Sequence, residues 1–112
     1  MFQSRHAVFG LGLSLVSLLP FSTALADTPS AARQAQLEHL LVQDCGSCHG
    51  LTMKGGLGPS LEPAALAAKD PEVLAFVILN GRPGTPMPPW RPFLTAAEVQ
   101  WIVQQLRQGL AP

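Results

Sequence analysis

Two cysteines and a histidine fall within five consecutive residues, Cys45-Gly46-Ser47-Cys48-His49, and this spacing constrains the fold more than any other feature of the chain. Two thiols three positions apart on one helical turn can each add across a vinyl group of a haem. A histidine directly after the second cysteine can then supply a proximal nitrogen to the iron. The pentapeptide therefore predicts covalent haem attachment at Cys45 and Cys48, with His49 as an axial ligand.

Other sites that use paired cysteines fit this chain less well. A zinc site needs a second pair of ligands, and the chain contains only two cysteines. A thioredoxin-like redox pair belongs in a βαβ context, which the sequence does not show. A structural disulfide between Cys45 and Cys48 has no need of the adjacent His49. The histidine therefore favours haem attachment over the alternatives.

The first 26 residues have the pattern of an export signal. Arg5 and His6 form a short basic start, and an apolar run follows from Ala7 to Leu19. That run is shorter than the roughly 17 to 25 residues that span a bilayer. The small-residue pattern Ala24-Leu25-Ala26 predicts cleavage after Ala26, which leaves residues 27–112 as one domain in the periplasm, with no membrane anchor.

The mature domain is small for a protein that must build its own core. Chains of this size bury a low fraction of their surface and usually need an additional stabilising element, which a buried haem would provide. Seven basic residues balance seven acidic ones in the full chain. This balance gives no indication of nucleic-acid binding or of strong electrostatic steering toward a partner.

Helix signals recur along the chain and strand signals are nearly absent, so the sequence predicts an all-α domain of three to four helices. Thr28-Pro29 has the pattern of a first helix start, and an apolar stripe then runs up to Cys45. Glycine and proline indicate loops over residues 50–60 and 82–92. The predicted later helices are a short one after Glu62-Pro63, one from Asp70-Pro71-Glu72 to Asn80-Gly81, and a last one from the capping box Thr95–Glu98 to Gly109.

The second axial ligand decides between electron transfer and chemistry at the iron. Met87 stands between Pro86 and Pro88, which restrict the backbone and would present the thioether with little entropy left to lose. Met53 lies too close to His49 in sequence to reach the other face of the haem. His39, on the first helix, is better explained as a solvated or capping histidine. Met87 is therefore the predicted sixth ligand, and ligation by histidine and methionine raises the reduction potential.

The pentapeptide, the segment Gly58-Pro59-Ser60-Leu61, the pair Met87-Pro88 and a last helix with Trp101 and Leu106 together resemble the class I cytochromes c. The resemblance covers nearly the whole mature chain. It implies a small helical fold around one covalent haem c and a monomeric one-electron carrier rather than an enzyme. It also implies that the carbonyl of Pro59 orients the His49 ring.

Within that family, the runs Gly55–Pro59 and Gly81–Trp90 resemble the cytochrome c55X group, small periplasmic cytochromes encoded with cytochrome cd nitrite reductase. The resemblance implies electron donation to that reductase in denitrification. An alternative is an accessory electron-transfer role in the biosynthesis of the reductase's haem d or in its maturation. A haem enzyme or gas sensor with an open iron site would require that Met87 not bind iron.

Four residues near the Met87 segment keep open roles. Arg82, Trp90 and Arg91 could contact the haem propionates, or could be surface and core residues without that role. Asn80 is the only asparagine, and the chain has no tyrosine to support a methionine sulfur. Capping its own helix is the expected role of Asn80.

Overall fold

The computed structural model describes residues 28–110, and this part of the chain is helical and contains no strand. The predicted all-α class is confirmed. The predicted signal peptide of residues 1–26 lies outside the described residues and stays a prediction. None of the helices within residues 28–110 has the length and hydrophobicity that a membrane span requires. The helices are α1 Ala31–Leu40, α2 Gly46–His49, α3 Pro63–Leu66, α4 Pro71–Asn80 and α5 Ala96–Gln108.

The first helical segment is continuous from residue 31 to residue 49, because a π-helical turn, Leu41–Cys45, joins α1 to α2. The segment begins two residues later than Thr28-Pro29 suggested. Ser30 is the N-cap, and its hydroxyl accepts a hydrogen bond from the amide of Arg33 at 3.3 Å. Short π-helical turns are rare and are frequently found at functional sites. This one ends at Cys45, the first cysteine of the pair.

The two longer downstream helices begin and end where the sequence predicts. The Asp70 carboxylate accepts hydrogen bonds from the amides of Glu72 and Val73 at 2.7 and 3.3 Å and so caps α4. In α5, the Thr95 hydroxyl and the Glu98 carboxylate each accept a backbone hydrogen bond from the other residue, which completes the capping box. These local signals fix the positions of α4 and α5 along the chain.

The core forms where α1, α3 and α4 meet α5. Leu37 and Leu41 on the first helical segment are fully buried, as is Val99 on α5. Helix α4 contributes Ala75 and Leu79 to this core, while its Leu74, Val77 and Ile78 line a cavity next to the core. The buried residues of α5 are Val99, Trp101, Ile102, Val103 and Leu106. Helix α4 faces both the core and the cavity, and this explains why it is apolar on nearly all sides.

Candidate haem site

A cavity of about 930 Å³ lies beside the pentapeptide and brings together four of the predicted site residues, Cys45, Cys48, His49 and Met87. Its wall is mostly apolar and is drawn from every helical segment and from the loops after α2 and α4. Its volume falls at the upper end of the roughly 300 to 1,000 Å³ that is usual for ligand and cofactor sites. The space is therefore large enough for a bulky apolar cofactor.

The His49 ring is held by a backbone carbonyl. Its Nδ1 lies 2.7 Å from the carbonyl oxygen of Pro59, the hydrogen bond that the family resemblance implied. Because a carbonyl can only accept, Nδ1 must carry the proton of this hydrogen bond, and in the neutral ring Nε2 is then the nitrogen that can bind a metal. A Cβ added at Gly58 would lie 2.8 Å from Cε1 and Nδ1 of the ring. Any residue other than glycine at this position would therefore displace the His49 ring.

The loop after α2 is closed by hydrogen bonds to the carbonyls at the end of that helix. The amide of Gly58 donates to the carbonyl of Cys48 at 2.8 Å, and the amide of Gly55 donates to the carbonyl of His49 at 2.7 Å. The Cα of Gly56 packs so closely that an added Cβ would lie 2.9 Å from the Cys48 carbonyl oxygen. This glycine-rich loop therefore folds back tightly on the helix end that carries the motif.

The two cysteines are free, half-buried thiols on the cavity wall. Burial and, to a smaller extent, the charge of Asp44 raise the pKa of the Cys45 thiol to about 11. Redox-active cysteine pairs depend on a lowered pKa, which makes the thiolate available at neutral pH. The surroundings of Cys45 therefore disfavour a thioredoxin-like role.

Met87 reaches the cavity from the proline-rich loop after α4, where its side chain is half-buried. The amide of Arg82 donates to the Met87 carbonyl at 3.2 Å, which closes the loop. Within the loop, Thr85 turns back on the Arg82 carbonyl through its hydroxyl at 2.7 Å. The segment is therefore ordered by its own hydrogen bonds as well as by its prolines.

The rival axial ligands lie elsewhere. Met53 is 6% exposed and belongs to the hydrophobic core, and it is absent from the cavity wall. His39 is exposed on α1 and does not line the cavity either. Of the histidines and methionines that the structure describes, His49 and Met87 are the two on the cavity wall.

The residues with open roles take different positions. Arg82 and Trp90 line the cavity, and the Trp90 ring also meets Phe93 edge-on, with centroids 6.1 Å apart. Arg91 is away from the cavity wall and donates to Asn80 Oδ1 at 3.0 Å. The Asn80 amide nitrogen donates to the Phe76 carbonyl at 2.8 Å, so Asn80 caps its own helix as expected.

Several wall residues escaped the sequence reasoning. Leu57 and Val73 line the cavity although their side chains are 75% and 58% exposed. Lys69 and Asp70 stand on the same wall between α3 and α4. Of these four residues only Val73 has a sequence signal, because the apolar run that continues around α4 indicates a second apolar neighbour for that helix.

The residues present fit a covalently attached haem. Two thiols on one helical turn, an imidazole with Nε2 unprotonated and a thioether all line one apolar cavity. These are the side chains that a haem c with two protein axial ligands requires. When bound, such a haem supplies a single-electron couple at its iron, and this chain attaches, orients and encloses it.

Known proteins resemble the chain over most of its length. A family model described as "Cytochrome C oxidase, cbb3-type, subunit III" matches residues 32–105. Cytochrome c55X of Stutzerimonas stutzeri is 52% identical over 109 residues, which cover 97% of this chain and 96% of that protein. The solved structure of the c-type cytochrome NirC superposes with a TM-score of 0.70 at 57% identity, covering 71% of this chain and 94% of that one.

A larger protein contains a related region. Dihydro-heme d1 dehydrogenase of Pseudomonas aeruginosa (strain PAO1) is 39% identical over 99 residues, which cover 88% of this chain but 19% of the enzyme. The similarity is therefore to one part of that enzyme. The matches to cytochrome c55X and to NirC, in contrast, cover almost the whole of those small proteins, and they identify the family. The chain belongs to the c-type cytochromes, which hold haem c covalently and carry electrons rather than catalyse reactions, and within them to the cytochrome c55X group.

Proposed function

We propose that this chain is a monomeric, periplasmic one-electron carrier that holds one haem c through thioether bonds to Cys45 and Cys48. His49 and Met87 are the axial ligands, and Pro59 orients His49 through its carbonyl. The observation that carries the proposal is the single apolar cavity that has both thiols, the imidazole and the thioether on its wall.

Two protein ligands would leave the iron no open position. This favours electron transfer over binding of oxygen, peroxide or carbon monoxide, and it raises the reduction potential. The test is the visible spectrum of the oxidised and reduced haem-loaded protein. We expect a weak far-red band in the oxidised form, which reports sulfur ligation, and no carbon monoxide binding by the reduced form at neutral pH. Carbon monoxide binding without a far-red band would favour an open-site enzyme or sensor instead.

Export and haem number can be tested in one measurement. The mass of the protein recovered from the periplasm should equal residues 27–112 plus one haem. A mass that includes residues 1–26 would contradict the cleavage, and a mass without haem would contradict the covalent attachment.

We propose cytochrome cd nitrite reductase as the electron acceptor, on the basis of the similarity to the cytochromes c55X. The contact surface is the apolar rim of the cavity, formed by Leu57, Val73, Pro86 and Pro88, which are exposed although they line the cavity. A carrier must dissociate quickly after transfer, and small, weak interfaces serve that purpose. An exposed rim beside the haem brings the partner close without requiring a large buried area.

A matched pair of leucines tests this surface. Leu57 on the rim is 75% exposed, and Leu51, which does not line the cavity, is 66% exposed. We expect Leu57→Lys to slow electron transfer to the reductase, and Leu51→Lys to leave the rate close to that of the natural protein. Stopped-flow mixing of the reduced cytochrome with the oxidised reductase measures both rates. Equal rates for the two variants would remove the rim from the proposal.

A second candidate function is electron transfer during the biosynthesis of haem d1. Its specific support is the similarity to one part of dihydro-heme d1 dehydrogenase, an enzyme whose name describes an oxidation that must release electrons. A free-standing cytochrome related to that part is chemically suited to accept them. Deleting the gene and measuring the haem d1 content of the reductase separates the two functions. Full haem d1 content favours the donor role, and missing haem d1 favours the maturation role.

A further inference from the structure

We propose that the C-terminal turn of α4 is the positioning element for Met87, and that Gly81, Asn80 and Arg91 are its positioning residues. The inference deepens the proposed function, because it rests on Met87 being the axial ligand. It states that the backbone contact of Gly81 with the Met87 segment, together with the Asn80–Arg91 hydrogen bond, holds the thioether where it can bind iron.

Gly81 packs directly against the backbone of the Met87 segment. A Cβ added at Gly81 would lie 2.8 Å from the Met87 carbonyl oxygen, the Pro88 carbonyl carbon and the Pro89 nitrogen. Real Cβ atoms do not approach other atoms so closely. All three neighbours are backbone atoms in a stretch that proline makes stiff, so the clash cannot be relieved by turning a side chain. Any side chain at Gly81 must therefore displace the segment that carries Met87.

The far end of the loop is tied to the same turn of α4. The amides of Trp90 and Arg91 donate to the carbonyls of Ile78 and Leu79 at 3.0 and 3.2 Å. These carbonyls belong to the last turn of the helix, which has no helical partners for them. The loop thus leaves α4 at Gly81 and returns to the preceding residues of the same helix, with Met87 between the two attachments.

Asn80 fastens this closure with its side chain. Its Nδ2 donates to the Phe76 carbonyl at 2.8 Å, and its Oδ1 accepts from Arg91 Nη2 at 3.0 Å. The hydrogen bond to Phe76 orients the amide, so that its oxygen is directed to the arginine. Hydrogen bonds to charged groups are stronger than neutral ones. Asn80 therefore acts on Met87 through the loop without touching the sulfur.

Met87 depends on the closed loop after α4 more than His49 depends on the loop after α2. Thioether bonds to Cys45 and Cys48 would tie a haem to the stretch that carries His49, while Met87 would have only its own bond to the metal. A ligand of this kind is lost when its segment shifts by about an ångström, since binding geometry tolerates little displacement. The fraction of protein with Met87 bound is the quantity that the α4 turn controls.

Two glycines of the same loop provide a matched test. Gly81 and Gly84 both have a left-handed φ, +69° and +76°, but no atom lies within 4 Å of a Cβ added at Gly84. Both Gly81→Ala and Gly84→Ala place a side chain at a positive φ, which strains the backbone, and only Gly81→Ala adds the clash. In haem-loaded protein, we expect Gly84→Ala to keep the far-red band and to exclude carbon monoxide. We expect Gly81→Ala to lose the band and to bind carbon monoxide at neutral pH in most of the sample.

Two results would overturn the proposal. One is a far-red band in both glycine variants that is as intense per haem as in the natural protein. The other is an equal loss of the band in both, which would assign the effect to the left-handed backbone rather than to the contact. The natural protein serves as the check on the underlying ligation. If it lacks the band, then Met87 is not the ligand and the proposed function fails first.

A second pair of variants decides the question if Gly81→Ala does not accumulate with haem. Asn80→Ala removes the side-chain bridge to Arg91 and adds no clash. Arg107→Ala is its control, because Arg107 donates to the carbonyls of Leu66 and Lys69, at 3.2 and 2.6 Å, in a different loop. We expect Asn80→Ala to raise the fraction that binds carbon monoxide several-fold, and Arg107→Ala to leave it unchanged. The same fraction in both variants would overturn the role of Asn80.

Discussion

The two sides of the cavity are built by different means. On the His49 side, the histidine, the two cysteines and Pro59 belong to one short stretch, and the hydrogen bonds that close its loop join residues of that stretch. On the Met87 side, the ligand stands on a loop that leaves α4 and returns to it, and its position depends on contacts between that loop and the helix. The first ligand therefore lies on a helix and is supported by a loop, whereas the second lies on a loop and is supported by a helix.

A glycine makes a close contact on each side of the cavity, but the two glycines contact different kinds of group. Gly58 packs against the His49 ring, which can turn about its own bonds. Gly81 packs against the Met87–Pro89 backbone, which cannot turn without moving the loop. We expect substitutions on the His49 side to change stability first, and substitutions on the Met87 side to change ligation first.

The largest effect should come from removing both attachment points. Cys45→Ser with Cys48→Ser leaves the cavity of about 930 Å³ without a covalent occupant, and a domain this small has little other core to rely on. We expect no haem on a denaturing gel and a loss of helical circular dichroism. Ser47→Ala, between the two cysteines, is the control and should keep its haem. Haem retained by the double variant through denaturation would contradict the attachment.

The next largest effect should come from Met87→Ala, which breaks the second side and leaves the first intact. We expect the thioether-bound haem to remain, the far-red band to disappear and the reduced protein to bind carbon monoxide. The reduction potential should fall by a substantial part of the ~0.8 V range that axial ligands span. Met53→Leu is the control, since it is a volume-conserving change in the core. An unchanged far-red band in Met87→Ala would assign the sixth ligand to another residue.

The difference between the two sides also explains how much the sequence could predict. The caps at Asp70 and Thr95, the motif at 45–49 and the place of Met87 in a proline-rich loop all depend on neighbouring residues, and the sequence shows these directly. The error at the first helix start is local as well, because Thr28 and Ser30 are both good N-caps and only Ser30 is used.

What the sequence could not predict depends on segments that meet only in the fold. The contact of Gly81 with Met87 and the hydrogen bond between Asn80 and Arg91 require the loop to return to α4. A glycine after a helix has an ordinary explanation as a helix end, so nothing in the sequence singles Gly81 out. The π-helical turn before the cysteines has no sequence signal either.

A smaller effect is expected from Gly58→Ala, which tests the first side without removing a ligand. Its Cβ would lie 2.8 Å from the His49 ring, and overpacking of this kind costs about 1–3 kcal/mol. Gly46→Ala is the matched control within the motif, because its nearest neighbours are at 3.4 Å and it lies in a helix. There the change should stabilise by about 0.5–1 kcal/mol. Denaturant unfolding of the haem-loaded proteins measures both.

The same pair distinguishes the two sides of the cavity. We expect Gly58→Ala to keep its far-red band despite its lower stability, since the thioethers hold His49 near the iron. Loss of the band in Gly58→Ala would mean that the His49 side controls ligation as strongly as the Met87 side does. The proposed difference between the sides would then be wrong.

The smallest effect is expected at the Arg33–Glu98 pair, which joins α1 to α5 away from both ligands. The hydrogen bond from the Arg33 guanidinium holds the pKa of the Glu98 carboxyl below its ordinary value of 4.5. A carboxyl with a lower pKa in the folded state stabilises the protein above its unfolded pKa, and this contribution is lost as the pH falls through the folded value. The advantage of the natural protein over Glu98→Gln should therefore be complete at neutral pH and shrink in acid. Denaturant midpoints at both pH values measure it, and a constant difference would contradict the ionic contribution.

The far-red band of Glu98→Gln should equal that of the natural protein at neutral pH, because a loss of stability that leaves the α4 turn in place does not move Met87.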